Sequence, residues 1–245
     1  MNALVLLMAS LLTGGPSPSA APEERRLVLD QREGRRLELV RTARAETTPP
    51  VEGTLELVDH GSRRRLADRV GAAAFAPDGS VLAIRRGALT RLEGGTPKTL
   101  VASGLAPELR MDPTGARVAL VRPLPSGGSA IDVLELSGDA KPRQVVAGPG
   151  YNNAPTFAPD GKTLLFVSTR TGLSSVFRVG LDGQAERQLT NRGLGTVGPA
   201  FVPPPEQAVS TRFERERFTW TASGARWFVD LATGQSGRTA DGGAR

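Results

Sequence analysis

Apolar residues in this chain come in short runs that turn-forming residues interrupt. The clearest stretch, residues 154–170, has apolar runs on both sides of the sequence Pro-Asp-Gly at 159–161. A second pair of runs, 175–179 and 185–189, flanks Leu-Asp-Gly at 181–183. In such turns proline presets φ, aspartate hydrogen-bonds nearby backbone, and glycine supplies the left-handed conformation. The pattern predicts units of four short antiparallel strands, lettered A to D.

The turn sequence recurs along the chain. FAPDG occupies 75–79 and 157–161, MDPTG is a degenerate copy at 111–115, and FVPPP stands at 201–205. The copies begin 36, 46 and 44 residues apart, close to the ~40–45 residues of a four-stranded propeller blade. The residues expected to form the turns are Pro77, Asp78, Gly79, Pro113, Gly115, Pro159, Asp160, Gly161, Asp182 and Gly183.

This spacing predicts an all-β chain. Residues 26–240 divide into five units of 43 residues each, so we expect a β-propeller of about five four-stranded blades, with four or six also open. The outermost units lack the Pro-Asp-Gly turn and are placed by spacing, with the last unit's strands at 197–201, 208–213, 218–222 and 226–231. Residues 241–245 are expected to form a disordered tail.

The first residues differ in composition from the body of the chain. Residues 3–12 are mostly apolar, small residues follow at 17–21, and no charged side chain precedes Glu23. A short apolar run followed by small residues is typical of a secretory signal peptide. We therefore expect residues 1–20 to be removed near 19–21 and the mature chain to be periplasmic in a bacterium. A buried N-terminal strand or helix is the alternative, and no other run predicts a membrane span.

The unit at 153–190 resembles the repeat of the TolB-like β-propeller family. The resemblance is carried by Pro155, Phe157, Pro159, Asp160, Gly161, Leu165, Phe166, Ser168, Arg170, Gly172, Val176, Phe177, Leu181, Asp182, Gly183, Gln188, Leu189 and Thr190. It implies a periplasmic propeller that binds other proteins of the cell envelope. The TolB protein has six blades and a separate N-terminal α/β domain, and this chain has no room for both.

Composition removes several chemistries. The chain has no cysteine, which excludes disulfides, zinc–thiolate sites and thiol nucleophiles. His60 is the single histidine and no G-x-S-x-G motif occurs, so a serine hydrolase triad is not expected. Asp78, Asp112 and Asp160 recur at blade spacing, where a turn role explains each, so we expect no metal and no cofactor.

The charge balance changes the expected partner more than the fold. The formal net charge is +6, with 31 basic and 25 acidic residues. The densest basic run, 63–65, has no Phe, Trp or Tyr within nine positions, and nucleic-acid binding is not expected. We expect a monomer that binds an acidic peptide or loop of an envelope protein.

Propeller geometry places the A–B and C–D turns on one face and the B–C and D–A connections on the other. The tight turns crowd the first face, so variable loops and binding residues are expected on the second. The candidates there include Tyr151, Asn152 and Asn153, which precede a strand A. The positions eleven residues after each turn motif begins are Arg86, Arg122, Ser168 and Arg212, all predicted to end strand B.

These arginines suggest a ring around the channel. Arg170 lies two residues beyond Ser168, and Arg41 is expected to end the matching strand of the first unit. The alternative is that they are solvated surface residues or bond neighbouring loop carbonyls.

Two function classes follow, with a third beside them. The leading hypothesis is a non-catalytic protein-binding platform of the cell envelope. The alternative is a small-ligand hydrolase or lyase that works from polar residues at the channel mouth, with Glu108, Asn152 and Asn153 as possible members. A sensor or accessory domain of an envelope system is the third.

Overall fold

The computed structural model describes residues 23–43, 52–92, 96–138, 141–172, 174–189, 210–214, 217–222, 225–230 and 235–239. The expected signal peptide, the turn motif at 201–205 and the expected tail lie outside the described residues. Within the described ranges every regular element is a β-strand. That part of the chain contains no helix long and apolar enough to cross a membrane.

Nineteen strands are present in the described residues. They are β1 (Glu23–Arg32), β2 (Arg35–Ala43), β3 (Gly53–Asp59), β4 (Ser62–Phe75), β5 (Val81–Arg85), β6 (Ala88–Leu92), β7 (Lys98–Val101), β8 (Leu109–Met111), β9 (Arg117–Pro123), β10 (Ser129–Glu135), β11 (Arg143–Val146), β12 (Asn152–Phe157), β13 (Thr163–Ser168), β14 (Ser175–Gly180), β15 (Arg187–Gln188), β16 (Ser210–Glu214), β17 (Arg217–Ala222), β18 (Ala225–Asp230) and β19 (Ser236–Arg238).

The strands form antiparallel sheets in chain order. One sheet holds β1 to β7, and three sheets of four strands follow: β8 to β11, β12 to β15 and β16 to β19. In the larger sheet, the first half of β4 pairs with β3 and its second half pairs with β5. The register shifts between Val70 and Ala72, just after Arg69, whose φ is +55°. The strand therefore joins two four-stranded units without a loop.

The core consists of layers between consecutive sheets. Leu82 and Ile84 of β5 pack against Leu120 of β9, while Val81 and Ala83 of the same strand pack toward β2 and β3. A third layer joins β9 to β11 with β12 to β14. The first four residues of β5 are all apolar because both faces of the strand are buried there.

The first strands of successive units lie together. β8 contacts both β4 and β12, and β12 also contacts β16. β16 is also the first strand of its sheet. The expected first strand of the last unit, 197–201, lies outside the described residues; among the described strands β16, which overlaps the expected second strand 208–213, is the first of its sheet, and β19 is a strand that the sequence did not indicate. The expected strand positions in this unit are aligned on FVPPP at 201–205, which lacks the glycine that closes the other hairpins.

The turn predictions are confirmed. The closing glycines have positive φ: Gly79 +80°, Gly115 +75°, Gly161 +63° and Gly183 +82°. Asp160 Oδ1 accepts a hydrogen bond from the Lys162 backbone N–H at 2.8 Å, and Asp182 Oδ1 accepts one from Gln184 at 2.9 Å. Each turn therefore uses aspartate and glycine as the repeat chemistry requires.

Candidate binding face

Tyr151, Arg122 and Ser168 lie at the end of the sheets away from the Pro-Asp-Gly turns. Tyr151 directly precedes β12, Arg122 is the last residue but one of β9, and Ser168 is the last residue of β13. Because antiparallel strands alternate in direction, the start of a first strand and the end of a second strand meet at the same edge. This edge is the candidate binding face.

A buried polar cluster lies beneath that face. Asn152 and Ser168 are fully buried, and the Ser168 hydroxyl donates to Asn152 Oδ1 at 2.8 Å. Ser129 Oγ receives the Asn152 backbone N–H at 2.7 Å and lies 3.1 Å from Asn153 Oδ1. Asn152 and Ser168 do not reach a docked protein in this conformation. They tie β10, β12 and β13 together.

Arg170 is held by the same cluster. Its guanidinium donates to Ser168 Oγ at 2.9 Å and to Asn152 Oδ1 at 2.8 Å, and it pairs with Glu186. It also stacks over the rings of Phe166 and Phe177, at 5.4 and 5.1 Å from their centroids. Because these contacts within the protein occupy the guanidinium, Arg170 stabilises the structure beneath the candidate binding face.

Arg122 is bound within its own sheet. Its Nε donates to Asp132 Oδ2 at 2.6 Å, and Nη2 donates to Gln144 Oε1 at 2.9 Å. The hydrogen bond to Asp132 raises the pKa of Arg122, while burial opposes it. This geometry fits the hypothesis that Arg122 bonds neighbouring residues better than the hypothesis that it belongs to a ring of arginines available to a partner.

The aligned arginines do not lie at one common position in the sheets. Arg86 lies one residue beyond β5, in the two-residue turn before β6, with φ of +51° and an exposed side chain. Arg212 stands in the middle of β16, paired with Thr219. Arg41 stands two residues before the end of β2, paired with Arg25. Strand lengths and turn types differ between units, so a fixed offset from the turn does not mark one place in the sheet.

Tyr151 is the most exposed large hydrophobic residue among the described positions, at 59% of its surface. Its backbone is nevertheless fixed. The Tyr151 N–H donates to Thr169 Oγ1 at 2.9 Å, and the Thr169 N–H donates to the Tyr151 carbonyl at 3.0 Å. An aromatic side chain on a fixed loop loses little entropy when a partner covers it.

Charged residues in or next to the first strands of the units lie close together on the side where these strands meet, which we call the inner wall. Glu108 Oε1 accepts the Ala154 backbone N–H at 2.7 Å, and Asp30 Oδ2 accepts that of Phe75 at 2.8 Å. Arg110 of β8 lies close to both carboxylates. Burial lowers the pKa of Arg110, and the charges of Glu108 and Asp30 oppose that effect.

Sequence reasoning found only part of this inner wall. Glu108 was singled out, whereas Asp30 and Arg110 were missed because no motif marks a charged residue in a first strand. Within the described residues, no group of three or more His, Cys, Asp or Glu side chains is placed to hold a metal ion. His60 lies in the turn between β3 and β4, exposed, with Nδ1 2.6 Å from Asp59 Oδ1.

Comparison with known proteins supports the resemblance. No family model matches the chain. A segment of 55 residues is 34% identical to the Tol-Pal system protein TolB of Bordetella pertussis, covering 22% of this chain and 13% of that protein. The solved structure of TolB from Acinetobacter baumannii superposes on 76% of this chain and 48% of its own, with a TM-score of 0.57 and 18% identity.

A gluconolactonase shares the fold as well. The structure of XC5397 from Xanthomonas campestris, described as a gluconolactonase, covers 91% of this chain and 87% of its own, with a TM-score of 0.51 and 15% identity. At these identities the structural matches show the fold alone, which is β-propeller-like. The chain spans less than half the length of the TolB proteins it matches. The relationship to TolB-like propellers is therefore one of repeat and fold.

Proposed function

We propose that this chain is a non-catalytic, periplasmic protein-binding platform of the cell envelope. Five four-stranded units would form its propeller, with β4 supplying the last strand of the first unit and the first strand of the second. The candidate binding face would hold the partner. The TolB-like fold and repeat support this class of function.

The observation that carries the proposal is the geometry of Tyr151. An exposed tyrosine on a fixed backbone, next to a buried polar cluster that holds three strands in place, resembles the anchor residues of protein interfaces. The surrounding loops are short, so the face is preorganised.

An acidic peptide or loop is the partner that the charge favours. The net charge of +6 attracts acidic segments. Arg86 is exposed, and none of the described residues hydrogen-bonds to its side chain. Exposed pairs are weak one by one, about 0.2–1 kcal/mol each. We therefore expect the charge to raise the association rate and to make binding sensitive to salt.

The test compares Tyr151→Ser with Val28→Ser, which removes the other large hydrophobic residue that the described part of the chain exposes. The mature chain is immobilised and used to capture proteins from envelope extract of the native host. A specific partner should bind the wild type and the Val28 variant, and Tyr151→Ser should weaken its binding by about 2 kcal/mol, the usual size of a hot-spot effect. Equal capture by both variants would contradict the proposal.

The gluconolactonase neighbour favours a second candidate, a small-ligand hydrolase at the inner wall. Glu108 and Asp30 would supply its carboxylates. Glu108→Gln keeps an oxygen that can accept the Ala154 N–H and removes the charge. Lactone hydrolysis by the purified wild type that Glu108→Gln abolishes would support the enzyme and contradict the platform.

A further inference from the structure

A cleft opens between the two halves of the seven-stranded sheet, on the face that carries the tight turns. Its volume is about 610 Å³, within the ~300–1,000 Å³ typical of small-ligand sites. One wall carries Arg35 of β2 together with Arg64 and Arg65 of β4. The other wall includes Asp78 and Val81, in the turn before β5 and at its start. The cleft lies on the opposite face from Tyr151.

The repeat supplies an internal comparison for Arg35. Arg35 begins β2 and lies over the ring of Phe75, 5.1 Å from the centroid. Arg117 begins β9 and lies over Phe157 at 6.0 Å. Both phenylalanines begin the turn motif of the following unit. The two arginines therefore occupy equivalent places, one at the interface of the first and second units and the other at the interface of the third and fourth units.

Arg117 has hydrogen-bond acceptors at Nε and at Nη2. Its Nη2 donates to Asp112 Oδ2 at 2.9 Å and to the Gly161 carbonyl at 2.8 Å, and its Nε lies 3.2 Å from the same Asp112 oxygen. A carboxylate thus receives two N–H groups of the guanidinium side by side. In this fork one carboxylate oxygen accepts both hydrogen bonds, and such charge-assisted hydrogen bonds are roughly twice as strong as neutral ones.

Arg35 lacks that fork. The residue five positions earlier is Asp30, as Asp112 is for Arg117, but its Oδ2 accepts the Phe75 N–H at 2.8 Å instead. Among the described residues Arg35 makes no hydrogen bond, and its buried Nε has only an ion pair with Asp59 Oδ2 at 3.7 Å, which is longer than a hydrogen bond. A buried donor without an acceptor is costly, so this position favours an oxyanion from outside.

The charged residues near Arg35 decide the net charge of the cleft. Arg64 makes no hydrogen bond or ion pair with the described residues. Arg65 pairs with Asp68. Across the cleft, Asp78 bonds Ser80 and lies 3.7 Å from Arg91, which offsets its charge. The cleft therefore keeps an excess of positive charge.

We propose that this cleft binds a small anionic ligand bearing a carboxylate or phosphate group. The oxyanion takes the place at Arg35 that the Asp112 carboxylate takes at Arg117, and Arg64 forms the second contact. The binding is independent of any protein partner on the Tyr151 face.

The test titrates the purified chain with inorganic phosphate and, separately, with succinate, and follows the arginine Nε–Hε signals by NMR. One or both anions should shift the Arg35 signal saturably and raise the melting temperature. Arg35→Gln should weaken binding at least fivefold. Arg117→Gln is the matched control at the same repeat position and should bind as the wild type does.

Arg64→Ser is a second variant whose effect cannot come from misfolding, because the exposed Arg64 side chain makes no hydrogen bond or ion pair with the described residues. It should bind more weakly with an unchanged melting temperature of the free protein. Arg187→Ser controls for general charge, since Arg187 is exposed and far along the chain in β15. A response to phosphate but not succinate assigns a phosphate group, and the reverse assigns a carboxylate. No saturable shift with either anion, or equal weakening by Arg187→Ser, overturns the proposal.

Discussion

Arginine takes three different roles in this chain, and the atoms around each guanidinium decide which. Arg170 is enclosed by two rings and a carboxylate and supports the loop before β12. Arg117 joins two units through Asp112 and Gly161. Arg35 has the equivalent ring beneath it but makes no hydrogen bond with the described residues, and its ion pair with Asp59 is 3.7 Å long. Residue type alone therefore does not distinguish a structural arginine from a binding one.

At the same scale, Gly161→Val and Asp160→Ala separate two contributions to the turn. Valine at φ +63° is strained, and a Cβ there would lie 3.2 Å from Arg117 Nη2. We expect a loss of about 1–3 kcal/mol from the free energy of unfolding. Asp160→Ala removes the exposed hydrogen bonds from the Lys162 and Thr163 backbone N–H groups and should lose about 1 kcal/mol.

Urea unfolding of both variants measures the order. Neither change should alter capture on the Tyr151 face, because both residues lie at the opposite edge of the sheets. Equal losses for the two variants would contradict the strain argument.

At the scale of elements, β4 decides how the first two units join. Its 14 residues serve two units, and the chain bends at Arg69 instead of forming a loop. Gly71 follows this bend and lies against Pro107, where a Cβ would come within 2.3 Å of the proline Cβ. The bend brings the backbone of β4 close to the segment before β8.

Gly71→Ala should therefore overpack this contact. We expect a loss of about 1–3 kcal/mol in the free energy of unfolding, since neither backbone nor proline ring yields easily. Gly237→Ala in β19 is the matched control, because a Cβ there meets only ordinary contacts at 3.5 Å. Chemical unfolding of the two variants provides the comparison, and similar losses would mean that β4 and the segment at Pro107 move apart freely.

At the scale of the whole molecule, the first sheet presents an ion-pair network on the side away from the second unit. Glu38 is 4% exposed and accepts hydrogen bonds from Arg36 Nε at 2.6 Å and Arg26 Nη1 at 3.3 Å, and it also pairs with Arg63. Burial alone would raise the pKa of Glu38, but the arginine hydrogen bonds outweigh it and lower the pKa to about 2. The network thus holds a buried carboxylate in its charged form.

This lowered pKa predicts how stability depends on pH. A folded-state pKa of about 2 against 4.5 unfolded means that the stabilisation is complete above pH 4.5 and is lost as pH falls toward 2. Glu38→Gln should lose about 1–3 kcal/mol at pH 7, since one pKa unit corresponds to about 1.4 kcal/mol. The difference from the wild type should shrink below pH 4.5.

Thermal or urea melts at pH 7 and pH 3 measure this difference. Glu24→Gln is the control, because Glu24 is exposed at the edge of the same network and its pair with Arg26 contributes little. A gap between wild type and Glu38→Gln that is the same at both pH values would contradict the assigned role.

Local chemistry determined the strands and turns of this protein. The sequences that begin at Phe75 and Phe157 predict hairpins, because proline, aspartate and glycine determine the conformation of the local backbone. The structure confirms both hairpins. Only the tertiary structure decided which arginine side chains lack a hydrogen bond in the described residues. It also decided that β4 serves two units and that β16 contacts β12. Those outcomes depend on atoms far away in sequence: Gly161 reaches Arg117 across 44 residues, and Asp30 turns to Phe75 across 45. No offset along one chain encodes such a contact, which is why the turn motif predicted the turns but not the surroundings of each arginine.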